Sequence, residues 1–337
     1  MSDGPVSDTG RIVADARDAL ERIAPHLRRT ALEESAAATA YNGATVWFKH
    51  EHQQVTGSFK PRGSLTKLTA MPPSRTLRRV IAPTAGNHGI GVSYAGASTG
   101  IPVSVYVPVA ADESKRRQLL SWGAQVSEFP DIEAARVAAR READRTGAVF
   151  SSAYNDRDMV VGAATLGLEL VEELPDIDVL LVPIGGGGLA AGVGAVLRHL
   201  RPNIQIWGVA PATSPTWPVW HRAGAPSTVT LAPSVAEGIS GPIELTTMTF
   251  PLVQELVHRI ITVSEAEIID ATRWLAAELQ QLVEPSGAAS AAAILSAARH
   301  TSGARTAAVL TGRNISLDRF IRMTAPALHA DDTTTAP

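Results

Sequence analysis

Apolar residues in this 337-residue chain recur at helical spacing in some stretches and cluster in short runs in others. Residues 11–23 place Ile12, Ala16, Ala19, Leu20 and Ile23 on one face of a helix. The short run Val46-Trp47-Phe48-Lys49 reads as a strand. Pro61 suits the first turn of a helix that continues over 64–70. From Val80 onward the alternation is regular. Strands are predicted over 80–82, 103–107, 124–129 and 148–150, separated by a helix through Val92, Tyr94 and Ala97 and by helices over 113–122 and 132–145.

A second alternating section begins near Tyr154, with a helix over 161–174, a strand over 179–182, a helix over 189–200 and a strand over 205–209. The run Val179-Leu180-Leu181-Val182 is apolar throughout, as a strand covered on both faces must be. Residues 211–236 carry Pro211, Pro215, Pro218, Pro226 and Pro233 and are expected to be irregular. Ser264 and Glu267 form a capping box before a helix whose buried stripe is Ile268, Thr272, Leu275, Leu279 and Leu282. A last apolar strand over 307–310 leads into Thr311. Alternating strands and helices predict an α/β fold with two open parallel-sheet domains. We expect a large domain over 11–78 plus 151–325, a small one over 79–150, and frayed tails at 1–10 and 326–337.

Composition narrows the function classes. Hydrophobic residues make up 45% and charged residues 19%, enough for a full core. A net charge of -3 provides no electrostatic reason for nucleic acid or an anionic membrane as partner. The absence of cysteine excludes disulfides, thiolate metal sites and a cysteine nucleophile. Residues 1–10 lack the apolar core of a signal peptide, and no apolar run approaches the roughly 18 residues needed to span a bilayer. The expectation is a cytoplasmic protein.

Four segments that can carry chemistry fall where strands should end. They are Thr56-Gly57-Ser58-Phe59-Lys60-Pro61-Arg62-Gly63, Thr84-Ala85-Gly86-Asn87-His88-Gly89, Gly185-Gly186-Gly187-Gly188 and Thr311-Gly312-Arg313-Asn314. A single lysine is ordinarily a solvated surface charge, so Lys60 matters only through this company. The tetraglycine run joins a buried strand to a helix, and backbone N–H groups there can converge on a phosphate. Gly186-Gly187-Gly188-Leu189-Ala190-Ala191 loosely fits a dinucleotide fingerprint. That fold wants an acid after the next strand, which here ends Val209-Ala210-Pro211. No Gly-Lys-Ser/Thr follows, so the run is not a nucleotide-binding Walker loop.

A lysine near a monophosphate site points to pyridoxal 5'-phosphate held as a Schiff base. Asn87 then suits the cofactor's phenolic oxygen, Thr311 its ring nitrogen, and the N–H groups of the 84–88 turn a substrate carboxylate. Singly, Asn87 and His88 read as turn or capping residues and Thr311 as a strand end. Only their combination changes that reading.

The chain resembles the fold type II pyridoxal-phosphate enzymes, tryptophan synthase β-like in fold, in the threonine/serine dehydratase and serine racemase branch. The resemblance runs from about Ile12 to about Arg322. It rests on Gly57-Ser58-Phe59-Lys60-Pro61-Arg62-Gly63, Ala85-Gly86-Asn87-His88, Asn155-Asp156 with Gly162, Gly185 to Leu189, Glu237-Gly238, Glu284-Pro285-Ser286-Gly287, and Gly312 with Asn314. It implies that the cofactor lies in the cleft between the domains and that Lys60 is both Schiff-base lysine and proton-transfer group. It further implies Phe59 and Gly238 against opposite faces of the ring and Gly185, Gly186, Gly187, Gly188 and Leu189 on the phosphate. Asn87 would hold the phenolic oxygen, Thr311 the ring nitrogen, and Thr84, Ala85, Asn87 and His88 the substrate carboxylate, with Glu284 close beneath the cofactor.

The implied activity is β-elimination from a β-hydroxy L-amino acid such as threonine or serine, releasing a 2-oxo acid and ammonia, in a homodimer. Departures from the family pattern refine this. Ala85 stands where racemases of the branch carry a serine acid/base. Ala210 and Thr216 stand where racemase-like members carry acidic metal ligands, so neither racemisation nor the usual metal is expected. Arg313 replaces a frequent glycine, as in some catabolic dehydratases. With only residues 326–337 after residue 325, no regulatory domain is expected, which argues against feedback-controlled isoleucine biosynthesis. The remaining alternatives are a β-replacement synthase, a lyase acting on an unusual β-substituted amino acid, and a non-catalytic pyridoxal-phosphate carrier.

Overall fold

The computed structural model describes residues 6–71, 79–84, 86–296, 301 and 303–325, with side chains from Thr9 onward. Ala85 and the segments 1–5 and 326–337 of the expected tails lie outside the described residues. The described strands are β1 (Leu32–Glu34), β2 (Thr45–Lys49), β3 (Val80–Pro83), β4 (Val103–Pro108), β5 (Gln125–Phe129), β6 (Val149–Phe150), β7 (Val179–Pro183), β8 (Gln205–Pro211), β9 (Arg259–Val263) and β10 (Arg305–Val309).

They form a six-stranded sheet in the order β1-β2-β10-β7-β8-β9 and a four-stranded sheet in the order β5-β4-β3-β6. Both are parallel except at β1, which runs antiparallel to β2 with Leu32 opposite Lys49. In the larger sheet Leu180 and Ile206 point to one apolar layer while Leu181 and Val209 point to another. Helices cover both layers, which is why β7 needs an unbroken apolar run. A third core cluster, with Val80, Ala82, Ile90 and Val105, belongs to the smaller sheet.

Several expectations are corrected. Residues 6–10 are not frayed, because the first helix spans Val6–Ile23 and buries Thr9 beside Ile12 and Val13. The helix expected from 161 starts at Arg157, where the Asp156 side chain accepts from the Asp158 N–H as its cap. Within the segment expected to be irregular, Thr216–Ala223 is helical. Pro215 and Pro218 sit at its start, where no intrahelical N–H is required, and Trp217 and Trp220 bury its inner face. The capped helix after Ser264 is Glu265–Glu278, with its capping box formed. Gln280 turns the chain away in a left-handed conformation (φ 52°), so Leu282 leaves the stripe and is exposed.

What fixes Lys60 against the larger sheet is a buried ionic knot two residues further on. Lys60 immediately precedes the helix Pro61–Thr69, and Arg62 in its first turn is fully buried. The guanidinium pairs with Glu51 through Nε (2.8 Å) and Nη2 (2.8 Å), and with Glu169 through Nη1 (2.8 Å) and Nη2 (3.0 Å). Nη1 also donates to the Thr165 hydroxyl (3.1 Å), so all five N–H donors are used. Lys49 completes the set, 2.9 Å from Glu169 and 2.8 Å from Glu173. Burial opposes charge on Arg62, and Glu51 and Glu169 outweigh it, holding the group well above its ordinary pKa. The helix Arg157–Glu173 brings Glu169 close because Gly162 meets Gly63. A Cβ on Gly162 would lie 2.4 Å from the Gly63 Cα. Arg62→Leu strands two buried carboxylates and should cost about 3–5 kcal/mol in urea-induced unfolding. A loss no larger than that of an exposed arginine would contradict the role given to the knot.

Candidate active site

The catalytic candidates come together at the C-terminal ends of strands, where open parallel sheets bind ligands. Thr84 follows β3, the glycine run follows β7 by one residue, and Thr311 follows β10 by one residue. Lys60 is tied to the same place by the Ser58–Gly312 bridge and by Phe59 N–H donating to the Thr311 carbonyl (3.1 Å). Between the two sheets lies a cavity of about 380 Å³, within the range of small-molecule sites. Phe59, Lys60, Thr84, Asn87, His88, Gly185, Gly186, Gly187, Gly188, Leu189, Gly238, Glu284 and Thr311 all line it. Every described residue of the expected site is therefore at one cavity.

Lys60 faces the cavity, and its Nζ donates to the Ala153 carbonyl (3.1 Å) and lies 4.9 Å from the centre of the Phe59 ring. The surrounding protein strips the ammonium of water and lowers its pKa to about 8. No acidic side chain offsets that effect. Burial likewise holds His88 neutral, with a pKa of about 3, helped by the charge of Lys60. Its Nε2 is 3.3 Å from both the carbonyl and the hydroxyl of Ser151.

Asn87 opens the helix Asn87–Thr99 and is locked from two sides. Its Nδ2 donates to Glu284 Oε1 (2.5 Å), and its Oδ1 accepts from Asn314 Nδ2 (2.7 Å). The second N–H of the amide has no partner among the described residues, and Asn87 lines the cavity. Burial raises the Glu284 pKa, against the opposing influence of Lys115 and the Asn87 amide. Gly238 is held by its N–H, which donates to Ser286 Oγ (2.8 Å).

The glycine loop passes a direct test of fit for a phosphate. A Cβ on Gly186 would lie 2.1 Å from the Tyr154 ring, and one on Gly185 would lie 2.9 Å from the Ile239 Cα. Gly187 has φ +87° and caps the helix Gly188–Leu200. Among the described residues, none accepts from the N–H groups of Gly186 to Leu189. Side chains are thus excluded from the loop while its donors and the helix dipole face the cavity.

Sequence reasoning missed Lys115, Arg136, Tyr154 and Ser240, which also line the cavity, and Trp217 and Thr249, which pack behind the loop. The cations sit in ordinary surface-like helices and reach the site only because the smaller sheet faces the larger one. No local signal marks them.

Comparison with known proteins decides the family. Residues 23–312 match the model of the family described as pyridoxal-phosphate dependent enzyme. The chain belongs to that family. It is 35% identical over 312 residues to an L-threonine ammonia-lyase of Thermotoga maritima, covering 92% of this chain and 77% of that protein. It is 32% identical over 308 residues to a beta-hydroxyaspartate dehydratase of Paracoccus denitrificans, covering 91% and 97%. The solved structure of maize serine racemase superposes with a TM-score of 0.87 at 29% identity, covering 92% of this chain and 95% of that one. The fold is that of the threonine deaminases and serine racemases, and the cofactor is pyridoxal phosphate.

In the cofactor-free protein, competitive acetylation of Lys60, followed by mass spectrometry, should rise with pH around a midpoint near 8. A midpoint at the ordinary 10.5 would contradict the desolvated site.

Proposed function

We propose that this protein removes water from a β-hydroxy L-amino acid such as threonine or serine, yielding a 2-oxo acid and ammonia. The observation that carries the reading is Lys60. It is an ammonium desolvated to a pKa of about 8, facing a side-chain-free phosphate loop across one cavity. Pyridoxal phosphate, when bound, supplies an electron sink for charge developing at the substrate's α carbon. Gly185 to Leu189 would hold its phosphate, Asn87 its phenolic oxygen and Thr311 its ring nitrogen. Phe59 and Gly238 would flank the ring, with Glu284 behind Asn87.

Lys60 Nζ acts as general base at the α carbon, since a pKa near the working pH leaves much of the amine free to accept a proton. His88, kept neutral, does not compete with Lys60 for a proton. Thr84, Asn87 and His88 receive the substrate carboxylate, and the family resemblance adds Ala85 to that set. The α C–H and β C–O bonds break as a double bond forms between the α and β carbons, and the departing hydroxide takes up a proton and leaves as water. The enamine so formed gains a proton at the β carbon, and one water hydrolyses the resulting imine to the 2-oxo acid and ammonia. We extend the reading to two domains, 79–150 and 11–78 with 151–325, with the cofactor in the cleft between them, to a homodimer as the family resemblance implies, and to the cytoplasm.

A second reading has its own support. Lys115 and Arg136 both line the cavity, although the methyl of threonine needs no cation. Arg136 Nη1 already pairs with Glu133, and an acidic β-substituent, as in 3-hydroxyaspartate, would give Lys115 and the remaining Arg136 donors a partner.

Coupled assays with L-threonine, L-serine and 3-hydroxyaspartate distinguish the two readings. The first predicts 2-oxo acid from threonine or serine, abolished by Lys60→Ala. The second predicts a preference for the acidic substrate, with kcat/KM falling about tenfold or more in Lys115→Gln or Arg136→Gln as a charge pair is lost. Turnover of none of the three would refute both.

A further inference from the structure

The glycine loop has no side chains of its own to hold it, yet its peptide planes are held in one orientation. The Trp217 Nε1–H donates to the Gly185 carbonyl (2.5 Å), and the Thr249 hydroxyl donates to the Gly186 carbonyl (2.7 Å). Both come from outside the cavity. A Cβ on Gly187 would strike Trp217 Cζ2 at 2.7 Å and Thr249 Oγ1 at 3.0 Å, so the two side chains back the loop directly. A trans peptide points its C=O and the following N–H in opposite directions. A carbonyl drawn outward at Gly185 therefore turns the Gly186 N–H inward, and one drawn outward at Gly186 turns the Gly187 N–H inward.

The brace is itself rigid. Trp217 and Thr249 are buried, at 2% and 0% exposure. Trp217 packs edge-on to Trp220 at 5.6 Å and parallel to Phe250 at 6.5 Å. The Thr249 hydroxyl is oriented by that of Thr247 at 2.9 Å. Neither Trp217 nor Thr249 lines the cavity.

We propose that Trp217 and Thr249 are positioning residues for phosphate recognition, pre-orienting the Gly186 and Gly187 N–H donors without touching the ligand. This rests on the reading of Gly185 to Leu189 as the phosphate site. Preorganised donors cost no reordering on binding, so the brace contributes selectively to the phosphate end of the cofactor.

The test compares dissociation constants of pyridoxal phosphate and of pyridoxal, which lacks the phosphate, for the cofactor-free protein, measured by absorbance titration. Trp217→Phe keeps a ring and removes the donor; Thr249→Val removes the hydroxyl at nearly constant shape. Each should lower the preference for the phosphorylated ligand about tenfold, the effect of losing one well-placed hydrogen bond, with pyridoxal affinity unchanged. Trp220→Phe is the control, because it keeps an aromatic ring against Trp217 and removes only an N–H. That Nε1–H donates to the Ser227 carbonyl rather than to the loop, so the preference should stay at the wild-type value. An unchanged preference in both brace variants, or equal weakening of both ligands, would overturn the proposal. A wild-type protein with no preference for the phosphorylated ligand would overturn the phosphate site itself, and the brace with it.

Discussion

The arrangement depends first on the buried guanidinium of Arg62. A charge taken fully out of water is tolerable only when every donor is met, and here two carboxylates and a hydroxyl meet all five. The partners come from the turn after β2 and from the helix Arg157–Glu173, so one side chain joins three segments distant in sequence. Lys60 lies two residues before it, at the start of the same helix. The reactive amine is therefore carried by a fixed backbone. Its lowered pKa follows from the same setting: Arg62 has the nearby carboxylates, and Lys60 is left with a carbonyl at 3.1 Å and an aromatic ring.

Around that fixed point the cavity is built from parts that are each held from outside. Asn87 is oriented by Glu284 and Asn314, and the Gly185 and Gly186 carbonyls by Trp217 and Thr249. Donor groups facing the cavity are left free because their opposite ends are already bonded. This is how a site gains preorganisation from a fold rather than from contacts with the ligand.

Much of this was legible in the sequence, and the gaps have physical reasons. β7 and its glycine run were readable because a strand buried on both faces must be apolar throughout and because successive glycines mark a loop packed too closely for side chains. The Lys60, Asn87 and Thr311 segments were readable together because their order is that of a known family. β1 was not, being a three-residue edge strand whose Glu33 and Glu34 look like loop. The helix Thr216–Ala223 was hidden by its prolines, which count against a helix only beyond its first turn. Leu282 was placed on a buried stripe because periodicity does not register the left-handed residue Gln280 that ends it. Glu51, Arg62 and Glu169 span 119 positions, and Lys115 and Arg136 lie on helices beside the smaller sheet whereas Lys60 is tied to the larger one. Such meetings are made by topology, and no local pattern announces them.

The central claim is that Lys60 is the residue to which pyridoxal phosphate is joined. Borohydride reduction of the holoprotein followed by mass mapping of tryptic fragments tests it most directly. Trypsin does not cut between Lys60 and Pro61, so the account predicts the added phosphopyridoxyl mass on the fragment spanning 50–62 and, within it, on Lys60. The same mass on Lys49, Lys67 or Lys115, or on no lysine at all, would contradict it.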